Sequence, residues 1–156
     1  MNKTIIVEKK KIKRKVDIPN DLLTISPAIA LNKLFLTIPF EGDMDAKKII
    51  RNKLSSYIMQ DKKKQRFNPK KIISYDQLIE KMVESTMKCC FCRHSLLLFY
   101  AFAREPYQWT LDRIDNTKGH NKDNVAIACL KCNLERRRQD DKKFLFSKRM
   151  KIIKMS

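Results

Sequence analysis

A chain of 156 residues is long enough for one compact domain with an arm, or for two small units. Its 35 Lys and Arg against 17 Asp and Glu give a formal charge of +18, which draws it to polyanions and makes nucleic acid the first expected partner. No run of about 18 apolar residues exists to span a bilayer, and the first residues lack the apolar run and cleavage site of a signal peptide. The expected setting is therefore intracellular and free of membrane, where five cysteines suit metal ligation better than disulfides.

Residues 1–20 read as a basic arm: a strand-like piece at 4–7, the cations Lys9, Lys10, Lys11, Lys13, Arg14 and Lys15, and a turn at 17–20. Pro19, Pro27 and Pro39 with Gly42 cut the next stretch into short apolar pieces, and the piece at 28–36 fits either a helix or a buried strand. Asp43 or Asp45 can cap a helix through 47–58, where Ile49, Ile50, Leu54, Tyr57 and Ile58 recur at helical spacing. A polar linker at 62–71 carries a second basic block, Lys62, Lys63, Lys64 and Arg66. Ser74 then opens another amphipathic helix over 75–82, with Leu78, Ile79 and Met82 on one face. Residues 1–83 are thus expected to form a basic, mostly helical, DNA-gripping region.

Residues 84–156 form the second expected unit, too small to rely on a large apolar core alone. Cys89/Cys92 and Cys129/Cys132 are two tight pairs whose four thiolates suit a tetrahedral, structural zinc ion. Cys90, inside the first pair, is a spare thiol, and His94 is a weaker alternative ligand. The apolar run at 96–103 predicts a strand and 104–107 a turn. Residues 108–114 predict a further strand, with Trp109, Leu111 and Arg113 on one face and Thr110, Asp112 and Ile114 on the other. A loop containing Gly119 leads to a short strand at 125–128, the second knuckle, and a helix beginning at Asn133. The class is α+β: a strand–loop–strand–helix unit stapled by metal, preceded by the helical region. Between the cysteine pairs lie Asp112, Asp115, His120, Asp123 and Asn124, residue types that hold hard divalent ions and act on phosphates.

The string Leu111-Asp112-Arg113-Ile114-Asp115, then Gly119-His120, Asp123-Asn124 and Cys129-x-x-Cys132-Asn133 followed by basic residues resembles the HNH nuclease family in its two-knuckle form. The resemblance covers residues 89–138, about a third of the chain, and implies a ββα-metal fold and a metal-dependent DNA endonuclease. It implies that Asp112 and Asn133 ligate a catalytic Mg²⁺ or Mn²⁺ while Asn124 pins the loop by hydrogen bonds. Arg136, Arg137 and Arg138, beside that site, are expected phosphate contacts.

In the best-known form of the family, the residue after the first Asp is a histidine that acts as general base. Here it is Arg113, which stays protonated and cannot take a proton from water, though it can clamp a phosphate. His120 and Asp115 are the two candidates for the missing base. The alternative is a catalytically inactive, zinc-containing nucleic-acid-binding or structural protein on the same scaffold. The Lys- and Ile-rich, glycine-poor composition fits an AT-rich genome, such as that of a phage or large DNA virus.

Overall fold

The computed structural model describes residues 12–150, so Lys9, Lys10 and Lys11 lie outside the described residues. Among the described residues there are five α-helices and one two-stranded antiparallel sheet, an α+β arrangement. No helix among them is long and apolar enough to cross a membrane.

The stretch whose character the sequence left open is a helix, α1 (Pro27–Phe35), with Pro27 in its first turn, where a missing N–H costs nothing. Gly42 then turns the chain into the long helix α2 (Asp43–Lys63). It adopts φ +87°, and a Cβ there would lie 2.5 Å from Leu22 Cδ2, so both backbone and packing require glycine. Asp43 and Asp45 in the first turn and Lys62 and Lys63 in the last complement the helix dipole. Ser74 and Gln77 form a reciprocal capping box that starts α3 (Tyr75–Glu84), as its sequence predicts. α1 packs on α2 and α3, and α3 reaches the sheet.

The strands β1 (Trp109–Arg113) and β2 (Val125–Cys129) pair with Trp109 opposite Cys129 and Arg113 opposite Val125. One end of the sheet therefore leads to the second cysteine pair and the other to the loop carrying His120. α4 (Leu130–Arg136) follows β2 without a break, and α5 (Asp141–Arg149), which the sequence did not announce, begins at an Asp140 cap. The expected strand at 96–103 is not one. Leu97 and Phe102 each make a single bridge, to Gln108 and Lys15, while Leu96, Leu98 and Phe99 drop into the core. With Leu96, Leu98, Phe99 and Tyr100 buried and only single bridges to pair with, the apolar run fills space rather than extending the sheet.

One apolar cluster runs through both expected units, from Leu22, Leu31, Ile50 and Met82 to Leu98, Trp109, Ile127 and Phe144. β1 is its centre. As an edge strand it exposes backbone groups on the side away from β2, and side chains from two helices satisfy them. Lys53 of α2 donates to the Trp109 carbonyl, Leu111 N–H donates to Tyr57 Oη at 3.1 Å, and Asn133 of α4 donates to the Leu111 carbonyl at 3.3 Å. α2 is thus bonded to the strand that carries Asp112. Burial between Trp109 and Tyr100 pulls the Lys53 ammonium down to about 7.

Candidate metal centre and adjoining cleft

Two tight turns bring the cysteines together. In the first, Arg93 N–H donates to the Cys89 carbonyl and Cys89 N–H to the His94 carbonyl, with Arg93 at φ +62°. In the second, Cys129 ends β2 and caps α4, its sulfur accepting from Cys132 N–H at 3.3 Å. The sulfurs of Cys89, Cys92, Cys129 and Cys132 all lie within 4.8 Å of one another and can hold a metal ion such as zinc. Thiols packed this closely cannot all ionise unaided: burial first, then the charge of Cys89, push Cys132 up to about 12. A divalent cation removes that conflict.

Cys90 is outside the cluster. His94 is also spent elsewhere, stacked on Tyr107 at 3.7 Å with Nδ1 on the Ser95 carbonyl. α5 covers the first turn through Phe144, whose ring meets Phe91 edge-on at 5.0 Å, and through Arg149, which donates to the Cys90 carbonyl.

Beyond the other end of β1 lies a cleft of about 220 Å³. Asp112, Arg113, His120 and Asn133 all line it, with Asn116 and Arg137 at its loop and helix edges and Tyr57 and Gln60 of α2 opposite. Asn133 sits one turn inside α4 rather than opening it. Its amide nitrogen bonds Thr110 Oγ1 at 3.1 Å and the Leu111 carbonyl, so its oxygen is the end left for the cleft.

Asp112 is 3% exposed and one of its oxygens is already engaged, 2.6 Å from Arg136 Nη1. Burial raises the Asp112 carboxyl above its ordinary value, against the opposing pull of Arg136. Arg136 is itself buried and also donates to the Arg113 and Ile114 carbonyls, which fastens the end of β1 to α4. That geometry removes Arg136 from the expected phosphate contacts. Arg137 and Arg138 remain exposed, as do Lys13, Arg14 and Lys15, whose segment is held by backbone bonds to Ala101 and Ala103.

Asn124 ties the loop closed. Its oxygen accepts from Asp115 N–H at 2.9 Å, and its amide donates to the Asp115 and Gly119 carbonyls. Arg113 adds two bonds to the same loop, at the Asn116 and Lys118 carbonyls, and burial lowers its pKa from the usual arginine value. Asp115 does not line the cleft. One of its oxygens accepts from both the hydroxyl and the amide of Thr117, which hold its carboxyl below the ordinary range. Asp123 is exposed and lies beside Lys70, Lys71 and Lys122 instead.

His120, a loop residue, is 4% exposed. Asp61 of α2 holds it twice: one carboxylate oxygen accepts from His120 N–H at 2.7 Å and the other meets ring Nδ1 at 2.8 Å. The Tyr57 ring packs on the imidazole at 4.6 Å between centroids. Burial lowers the His120 pKa, and the Asp61 charge opposes that shift without cancelling it. Asp61 is the residue the sequence reading missed. It sits, 2% exposed, in the last turn of a helix whose dipole disfavours a carboxylate there, directly before Lys62, Lys63 and Lys64. Comparison with protein-family models, curated proteins and solved structures found no significant match.

Proposed function

We propose that the chain is a metal-dependent, HNH-type DNA endonuclease stapled by one structural zinc ion. The observation that carries this is convergence: Asp112 from β1, His120 from the loop and Asn133 from α4 line one cleft beside Arg113. The free Asp112 oxygen and the Asn133 amide oxygen suit Mg²⁺ or Mn²⁺, since two protein ligands leave the remaining positions to water and phosphate. When bound, such an ion supplies charge stabilisation at the scissile phosphate and the leaving oxygen. His120, with Nδ1 engaged by Asp61, offers Nε2 to accept a proton from the attacking water. Arg113 and Asn124 keep the loop closed over the cleft, and Arg137 at its rim is available for a flanking phosphate. The cysteine cluster fits zinc by donor type and spacing, and it fixes the start of α4, from which Asn133 projects.

The Arg136–Asp112 pair favours a second reading, a zinc-stapled DNA-binding protein that does not cut, because Arg136 competes with a divalent ion for the same carboxylate. Incubating supercoiled plasmid with the protein and Mg²⁺ or Mn²⁺ separates the two. Nicked product from the wild-type chain, absent with Asp112→Asn, supports the nuclease. Binding without nicking in either metal supports the second reading.

A further inference from the structure

A histidine serves as general base only if its proton is kept off the nitrogen that faces the substrate. In His120 that choice is made by a helix outside the stapled unit. Asp61 Oδ1 lies 2.8 Å from Nδ1, while Oδ2 takes the backbone N–H of the same residue at 2.7 Å. A carboxylate can only accept here, so Nδ1 must carry the proton and Nε2 its lone pair. The ring lines the cleft, and among the described residues its side-chain bond to Asp61 is through Nδ1, not Nε2. Space around this contact is fully used: a Cβ on Gly119 would stand 2.7 Å from Asp61 Oδ2 and 2.7 Å from the Arg66 carbonyl. Glycine at 119 is therefore what lets the loop close onto α2.

We propose that Asp61 is the positioning residue for His120, so that α2 completes the catalytic cleft by fixing the imidazole tautomer with Nε2 bare. This rests on the nuclease reading above. The arrangement is a carboxylate–imidazole pair assembled from residues 59 positions apart. It answers how the chain can do without a histidine at position 113. The charged and titratable groups facing the ring are Asp61 and Tyr57 from α2 and Arg113 from β1, with Arg66 beyond Arg113. Asp61 is the only acid in that set. Tyr57, pushed up to about 12 chiefly by burial, stays neutral and supplies a wall.

The test combines nitrogen-15 NMR of the zinc-loaded full chain with cleavage rates across pH. Only two histidines are present, so the His120 ring signals are assignable against His120→Gln. The wild-type ring is expected as the Nδ1–H tautomer at neutral pH. Asp61→Asn presents an amide that can donate to Nδ1, which moves the proton to Nε2. Cleavage should then fall on the order of 10²–10⁴-fold, the usual worth of a positioned general base. The acid limb of the remaining activity separates positioning from loosening. Losing the Asp61 charge lowers the imidazole pKa further, so the limb moves to more acid pH. A loosened, hydrated ring would instead return it toward 6.5, the ordinary histidine value. An Nε2–H ring in the wild-type chain, an unchanged Asp61→Asn rate, or a limb that moves toward 6.5 overturns the proposal. A wild-type chain that cuts nothing overturns the nuclease reading instead, and the tautomer still decides whether Asp61 orients the ring.

Discussion

The two ends of β1 are built by different means. At the Trp109 end the sheet runs into the cysteine cluster, whose four ligands come from two short turns, each specified by neighbours in sequence. At the Arg113 end the cleft draws on β1, the 116–124 loop, α4 and the far end of α2, and no local segment specifies it. A metal site made of paired cysteines carries its own signature. A cleft whose key histidine is held by a carboxylate 59 residues away does not. The energetics differ in the same way: an ion held by the four cysteines would couple its binding to folding at one end, whereas the other end depends on buried polar pairs that cost much to break and contribute little net stability.

The largest expected effect is at the cysteine end. Cys129→Ser removes one of the four clustered sulfurs while leaving a hydroxyl that can still cap α4, and should abolish zinc binding and the cooperative thermal transition. Cys90→Ser should do neither. Metal analysis alongside calorimetry checks both, and equal loss from the two substitutions would mean that the ligand set is wrong. A chelator should reproduce the Cys129→Ser result.

At the cleft end, Asp112→Asn and Asn133→Ala should abolish plasmid nicking while leaving zinc content intact. Asparagine is the better replacement at 112, because alanine would strand Arg136 in the interior. That stranding is measurable from the other partner. Arg136→Met leaves Asp112 buried and unpaired and should cost about 3–5 kcal/mol in denaturant unfolding, much of it recovered in the Asp112→Asn/Arg136→Met double variant. Additive losses would show that the pair is not coupled.

A smaller effect follows from the lowered pKa of His120. The unfolded chain protonates this residue near 6.5 while the folded chain resists, so the unfolded state binds more protons below that pH. Stability should therefore be intact above 6.5 and decline as pH falls through it, by at most about 1.4 kcal/mol per pH unit. His120→Gln should flatten that slope; melts at pH 7.5 and 5.5 with excess zinc decide it. The smallest effect is at the rim. Arg137→Ala with Arg138→Ala should reduce the dependence of log affinity for duplex DNA on log salt by roughly 0.9 for each phosphate no longer neutralised, uniformly across sequences. The same substitutions at Lys13 and Arg14 test whether the tethered arm shares the footprint.

What could be seen in the sequence divides along the same line. The α2 and α3 helices and both strands follow from apolar spacing and the Ser74 cap, because each is decided within a dozen residues. The run at 96–103 has the composition of a strand but lacks a neighbour to pair with, and pairing is not a local property. Arg136 stood in a row of three arginines and looked like its neighbours. Only the turn of α4 that aims it at Asp112, while Arg137 reverses at φ +51°, tells them apart. The signal for Asp61 was present in principle: an acid in the last turn of a lysine-rich helix, four residues after Tyr57, opposes the dipole and asks for a compensating partner. His120 and Asn124 could be singled out by type, but the burial of His120 could not.

The central claim is that the staple builds and the cleft cuts. The most direct measurement is nicking of supercoiled plasmid in Mn²⁺ by wild-type, Asp112→Asn and His120→Ala proteins, with zinc content and melting temperature taken on the same preparations. Nicking is expected from the wild-type chain and none from Asp112→Asn, with a rate lowered roughly 10²–10⁴-fold in His120→Ala, all with one zinc ion per chain and similar melting. Nicking that persists unchanged in both variants, or that disappears only together with zinc, would contradict it.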